Sequence, residues 1–315
     1  MAKKDNVRSV FITSSGDPYV LLYCLQHIGC WGSEVDEIWV CINSTMEQPV
    51  INKLLNQIPP KVKIVYINQR LGYGKPIDVL LNLSSEGSVL LLEDDTLIFK
   101  RKVVDKYFRL LESDEYDLIG SPRMSCTKKV ADQLKEEFDL SYEGWGDKGP
   151  NFWPNFLWIK KEHLLKTDRN FGPTKWGDTF AWMSVQLRRM GLKIKEIPQY
   201  HTSPDDFENK ENQRGIFDDK CGYIHIGSLS SGIESYLLDK NDVPLTDRAK
   251  GIKSNGKEAE NNKEMQKRLA WWNTCYWSTM GRFDEFDKIY FDALNDFQKR
   301  AGIKNYKKWQ DLYKI

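Results

Sequence analysis

Six cysteines (Cys24, Cys30, Cys41, Cys126, Cys221 and Cys275) are scattered through the 315 residues without a single C-x-x-C pair. That spacing excludes zinc-finger and thioredoxin-type chemistry, and reduced, mostly buried thiols are expected. No stretch reaches the roughly 20 apolar residues of a membrane-spanning helix. The chain starts with two lysines and passes directly into an apolar run too short for a signal-peptide core, so a cytoplasmic protein with no membrane span is expected. Without a secretory signal, Asn43-Ser44-Thr45 and Asn82-Leu83-Ser84 read as chance matches to the glycosylation acceptor pattern. Charge of one sign is also missing. With 46 Lys and Arg against 45 Asp and Glu, the net charge is +1. The whole-molecule field therefore makes no case for a polyanionic partner, although a local basic groove stays open. The first apolar run is followed by TSSGDPYV and not by G-x-G-x-x-G, and G-x-x-x-x-G-K-[ST] occurs nowhere. Dinucleotide-binding and P-loop readings fall with those two absences.

What is present is an ordinary globular composition, 40% hydrophobic and 29% charged, with an aromatic share of 12% that includes 11 Trp. So many flat side chains can stack sugars or bases, or simply fill a core. The first 100 residues alternate β-rich runs at 10–14, 37–42, 62–67 and 88–92 with helix-like stretches at 17–26, 49–57 and 75–83. This alternation predicts βαβ units and a parallel sheet. Beyond it, strands are expected at 117–120, 156–160 and 193–197, with a Trp- and Gly-rich loop at 143–154. A helix is expected at 178–190, where Phe180, Ala181, Val185 and Leu187 recur at helical spacing before a stop at Gly191. The charged segment 204–220 reads as a solvated loop or lid. After a polar stretch at 246–268, residues 269–315 are rich in helix formers and aromatics. One α/β domain over 1–240 and a helical C-terminal extension over 241–315 is the expected organisation.

Glu93, Asp94 and Asp95 follow directly on the apolar run 89–92. Three carboxylates at a strand's carboxyl end repel one another and lose hydration, and a cation offsets both effects. Hard oxygen donors suit Mg2+ or Mn2+, and open α/β sheets bind ligands at this edge. A solvated acidic turn is the plain alternative. The order of motifs around the triplet resembles the GT-A glycosyltransferases, in particular the inverting, family-two-like group that includes cellulose and chitin synthases. The resemblance spans about 10–232 and implies a Rossmann-like, mostly parallel central sheet flanked by helices. It divides the domain into a nucleotide-sugar-binding half, 1–100, and an acceptor half, 101–240. Glu93-Asp94-Asp95-Thr96 is similar to the family's D-x-D motif with Glu in first place. The resemblance implies metal binding by Asp95 and donor contacts by Glu93 and Asp94.

Upstream, Asn68 to Asp78 (NQRLGYGKPID) is similar to the family's donor loop. Gly72 and Gly74 allow close backbone approach, and Arg70 and Lys75 can meet a diphosphate, with Asp78 entering the next helix. Thr13, Ser14 and Ser15 after the first strand and Asn43 after the second stand where the family holds base and ribose, or are turn residues. Lys175 to Phe180 (KWGDTF) resembles the acidic motif at the start of the acceptor helix, which makes Asp178 the candidate general base; an N-cap is its alternative role. His225, among glycines and serines, resembles the family's late metal ligand, with His201 as competitor. Trp145, Trp153, Trp158 and Trp176 are candidate acceptor platforms, or core. The resemblance thus implies transfer from a nucleotide diphosphate sugar, a UDP-sugar foremost, to an acceptor hydroxyl with Mn2+ or Mg2+. A carbohydrate acceptor heads the reading. A hydroxymethylated DNA base stays open through the cations at Arg188, Arg189, Lys193, Lys195 and 304–308. A sugar-nucleotide nucleotidyltransferase and a non-catalytic carbohydrate-binding protein are the readings from other classes.

Overall fold

Strands buried on both faces read as continuous apolar runs, and the central strands here do so. The computed structural model describes residues 6–14, 21, 24–25, 28, 31–43, 61–67, 69, 71–98, 102–122, 128–139, 152–175, 179–197 and 223–225. The strands are β1 (Val7–Ser14), β2 (Glu37–Asn43), β3 (Val62–Ile67), β4 (Gly87–Glu93), β5 (Thr96–Ile98), β6 (Leu118–Pro122), β7 (Phe152–Lys160), β8 (Ile194–Glu196) and β9 (Tyr223–His225). The helices are α1 (Gly74–Leu83), α2 (Val103–Glu112), α3 (Lys128–Phe138), α4 (Lys161–Leu165) and α5 (Ala181–Arg189), with a 3-10 turn at Gly32–Glu34. Seven strands form one sheet in the order β3-β2-β1-β4-β7-β6-β8, and β5 pairs with β9 in a second. Strands β1 to β4 are mutually parallel, as are β6 and β8, while β7 runs antiparallel to both β4 and β6. The chain thus forms the expected α/β fold with a mostly parallel central sheet.

Alternation along the strands splits the core in two. Val10, Ile12, Leu90, Leu92, Phe156 and Trp158 pack against Val104, Tyr107, Phe108 and Leu111 of α2. Leu21, Cys24, Leu25, Ile28 and Trp31, all helical in backbone and spaced by three or four, cover the same face. On the other face Phe11, Val89, Leu91, Leu157 and Ile159 meet Ile77, Leu80 and Leu81 of α1 and Met183 and Leu187 of α5.

Several bounds differ from expectation. β7 starts at Phe152, four residues before the expected strand and within the expected loop, and carries Pro154. Its ladder with β4 ends at Phe156, so the missing N–H of Pro154 falls beyond that pairing. The helix expected from Asp178 starts at Ala181, with Phe180 at its N-cap in the left-handed region and the Phe180 amide donating to the Phe171 carbonyl at 2.9 Å. It does not begin at Asp178. Its end is as expected, with Gly191 at φ 68. Helices α2, α3 and α4 and the β5–β9 ladder are additional to the sequence reading. Cys24 and Cys41 are free and buried, as expected; Cys30, Cys126, Cys221 and Cys275 lie outside the described residues. So do the segments 49–57 and 204–220 and the extension 241–315. Among the described residues no helix is long and apolar enough to cross a membrane.

Candidate functional site

Parallel pairing sets the carboxyl ends of the first strands level. Thr13 of β1 lies opposite Cys41 of β2 on one side and Glu93 of β4 on the other. After Glu93 the chain turns through Asp94 and Asp95 into β5, and both Asp residues are only 4% exposed. They form no solvated acidic turn. Ser14, itself buried, donates its hydroxyl to Asp94 Oδ2 at 2.6 Å. The β5–β9 register sets Thr96 opposite His225, so the backbone of His225 runs beside the residue that follows Asp95. Its side chain lies outside what is described. Among the described residues, no three His, Cys, Asp or Glu side chains come together as a self-sufficient metal cage. Two adjacent buried carboxylates remain a hard oxygen set that fits Mg2+ or Mn2+, ions that take one or two carboxylates and complete their shell with phosphate and water.

The glycine-bearing loop is held against this edge from beneath. Asn43 Nδ2 donates to the Gly72 carbonyl at 2.8 Å, and the Leu71 amide donates to Asn43 Oδ1 at 2.7 Å. The amide of Asn43 is thereby committed to the loop backbone, and any effect on a ligand passes through that loop. A Cβ on Gly74 would stand 2.7 Å from the backbone nitrogen of Gly172, so this position needs glycine for close packing of two loops. Asp78 is paired with Arg169 at 2.5 Å, a structural tie between α1 and the segment before α5. Lys75 is exposed. Loop residues 71–75 and residues 168–173 face one another across a cavity of ≈ 280 Å³.

Tyr73, unremarked in the motif reading, belongs to the site. Its hydroxyl donates to the Pro154 carbonyl at 3.0 Å. Burial pushes the phenol well above its ordinary pKa, and the Glu93 charge adds to the shift, so it stays neutral and serves as a hydrogen-bond donor. Its place between Gly72 and Gly74 was the available signal. Cys24 lies behind the triplet, and burial, then the charges of Asp94 and Asp95, raise its thiol, which makes it inert.

Of the expected site residues, the structure brings Thr13, Ser14, Glu93, Asp94 and Asp95 to one sheet edge and sets Asn43, Gly74 and Lys75 in or under the adjoining loop. Trp153 is located only as backbone in β7. Ser15, Arg70, Trp145, Trp176 and Asp178, with the competitor His201, lie outside the described residues. Trp158 is fully buried in the core and is no acceptor platform. The described cations offered for a DNA acceptor are engaged elsewhere. Arg188 pairs with Glu196 and lies over Phe152, Arg189 lies over Phe138, Lys195 lies over Tyr116, and Lys193 donates to the Asp114 carbonyl.

No protein-family model matches the chain, and no curated protein matches it in sequence. Solved structures do resemble it. The mannosyltransferase PcManGT from Pyrobaculum calidifontis, in complex with GDP-Man and Mn2+, aligns over 96% of this chain and 82% of its own at 14% identity, with a TM-score of 0.43. TarS 1-349 from S. aureus aligns over 94% and 81% at 13% identity, with a TM-score of 0.44. A protein assigned as a nucleotide-diphospho-sugar transferase from Desulfovibrio desulfuricans G20 aligns over 61% and 80% at 12% identity, with a TM-score of 0.40. Likeness at that level leaves the chemistry to be argued from the side chains of the site.

Proposed function

We propose that the chain is a divalent-metal-dependent glycosyltransferase of the GT-A type, moving a sugar from a nucleotide diphosphate sugar, a UDP-sugar, to a carbohydrate hydroxyl with inversion. The observation that carries this is the buried pair Asp94 and Asp95 at the carboxyl end of β4, with the β5–β9 ladder running beside it. A buried carboxylate pair is unfavourable unless its charge is used, and a diphosphate-bound cation uses it. Asp95 and His225 are the proposed metal ligands; the Mn2+ or Mg2+ they would hold would supply positive charge to the diphosphate leaving group.

The remaining work falls to the chain itself. Ser14 orients Asp94 through its hydroxyl, and Asn43 holds the glycine loop in the shape that receives the phosphates. Glu93, level with Thr13, faces the ribose or sugar end of the donor. Asp178 takes the proton of the acceptor hydroxyl as the new bond to the anomeric carbon forms and the bond to the phosphate oxygen breaks, the electron pair leaving with the diphosphate. Because α5 starts at Ala181 with Phe180 as its cap, Asp178 is not required as a helix cap, which supports the base reading.

The test is release of nucleoside diphosphate from a panel of nucleotide sugars with Mn2+, Mg2+ or chelator, with and without carbohydrate acceptors. Asp95→Ala is expected to lower metal-dependent turnover by about 100-fold or more. Asp178→Asn is expected to keep donor binding and lose about 100- to 10,000-fold in transfer. Full turnover in Asp95→Ala would overturn the assignment. Consumption of pyrophosphate would point to nucleotidyl transfer instead.

A further inference from the structure

On β7, at the same sheet edge as the acidic triplet, stands a side chain that none of these roles uses. Asn155 has no exposed surface, and neither its Oδ1 nor its Nδ2 has a hydrogen-bond partner. Buried amides are almost always paired, and one that is unpaired at both atoms is waiting for a ligand or for ordered water. The register locates it. Leu92 lies opposite Phe156 in the antiparallel β4–β7 ladder, so one further step brings Asn155 level with Glu93. Strand alternation puts Asn155 on the face of Leu157, and Glu93 on the face of Leu91, which is the same face. Thr13, Glu93 and Asn155 therefore form a row across the carboxyl ends of β1 and β4 and the amino end of the antiparallel β7. The Tyr73 hydroxyl is fastened to the backbone immediately before Asn155, through the Pro154 carbonyl, which ties access to the amide to the position of the glycine-bearing loop.

We infer that Asn155 is a sugar-recognition residue, its amide receiving two neighbouring hydroxyls of the transferred sugar. This rests on the glycosyltransferase reading. The chemistry selects the ligand class. A neutral amide offers a donor and an acceptor side by side, which matches a vicinal diol, one hydroxyl donating to Oδ1 while its neighbour accepts from Nδ2. Glu93, on the same row, repels a bare phosphate and accepts from a further hydroxyl. A site built to pair hydroxyls discriminates strongly, because an ill-matched ligand leaves its buried groups unpaired.

The test compares wild type with Asn155→Leu, a near-isosteric change, in the full chain with Mn2+. Binding is measured for UDP and GDP, and for UDP-glucose, UDP-N-acetylglucosamine and GDP-mannose. For the nucleotide sugar that the wild type binds, the variant is expected to lose at least about tenfold in affinity while keeping the parent diphosphate within about twofold. The unliganded variant is expected to melt at or above the wild-type temperature, because an unpaired buried amide has been replaced by an apolar group of similar shape. Equal affinities for the nucleotide sugar, or equal losses for sugar and diphosphate, would overturn the inference. A clear drop in melting temperature without ligand would overturn it too, and would assign the amide to a structural water. Should the leucine variant not fold, Asn155→Ser, which cannot span two hydroxyls, carries the same affinity comparison. A wild type that binds neither diphosphate nor nucleotide sugar would instead sink the glycosyltransferase reading itself.

Discussion

Ser14 donates its hydroxyl to Asp94 at 2.6 Å in a place where neither group meets solvent. Hydrogen bonds to a charged partner are worth about 1.5–3 kcal/mol, more than those between neutral groups. Ser14→Ala is therefore expected to lower the unfolding free energy by about 1–3 kcal/mol and to weaken Mn2+-dependent nucleotide binding, read by urea titration and calorimetry. Unchanged stability would mean that Asp94 is held well enough without the hydroxyl. At this scale the sequence was half legible. The triplet announced itself because three acids in a row after an apolar strand are unusual, and Ser14 was marked by its place after β1. The pairing of Ser14 with Asp94 spans 80 positions and depends on β1 and β4 being neighbours in register. Asn155 was hidden for another reason: within NFWPNFLW an amide looks like part of a loop, and only the length of β7 reveals that it is buried.

Among the elements, α4 carries a pH dependence of its own. His163 lies under the amino-terminal end of the sheet, with Nε2 at 3.6 Å from Asp117 and 3.8 Å from Glu162. Burial lowers its pKa below 6.5, against the opposing pull of Glu162 and Asp117, with Lys166 and Lys160 adding to the lowering. The folded state thus binds the proton less well than the unfolded chain does, so this group's effect is absent well above pH 6.5 and destabilises as pH falls through and below that value. The urea midpoint is expected to drop between pH 7 and pH 5, and His163→Gln is expected to flatten that drop. A variant with the wild-type slope would assign the pH dependence to other groups. Asp117 acts in a lower range. Despite its burial, bonds from the Lys193 amide and Lys160 Nζ depress its pKa, so its contribution is intact near neutrality and fades only in acid.

The parallel core was readable at this scale because strands buried on both faces leave unbroken Val, Ile and Leu runs. Expected and observed strands differ by a few residues at most for β1 to β4. Helix α2 lies outside the sequence reading although its buried Val104, Phe108 and Leu111 recur at helical spacing, because Asp105, Lys106, Arg109 and Glu112 break up the apolar run. The ladder of β5 with β9 could not be read from local pattern at all. Each strand is three residues long, and the pairing joins Thr96 to His225.

At the scale of the whole molecule, the proposed site makes a prediction about how metal and nucleotide act together on stability. Without a diphosphate, a cation at Asp94 and Asp95 lacks the phosphate oxygens that complete its shell; without a cation, a diphosphate meets three carboxylates. Each ligand alone should therefore bind the folded chain weakly, and the two together strongly. Linkage turns that into a measurable shift, because a ligand at about 100 times its Kd stabilises the folded state by about 2.7 kcal/mol. For a domain of this size that is on the order of 5 °C in melting temperature. Mn2+ and UDP together are expected to raise the melting temperature by more than the sum of their separate shifts. A chelator should abolish the nucleotide's share, and Asp95→Ala should remove the excess while leaving any weak separate effects. Additive shifts, or a UDP shift that survives the chelator, would mean that the nucleotide binds away from the carboxylates and that the acidic turn has some other purpose.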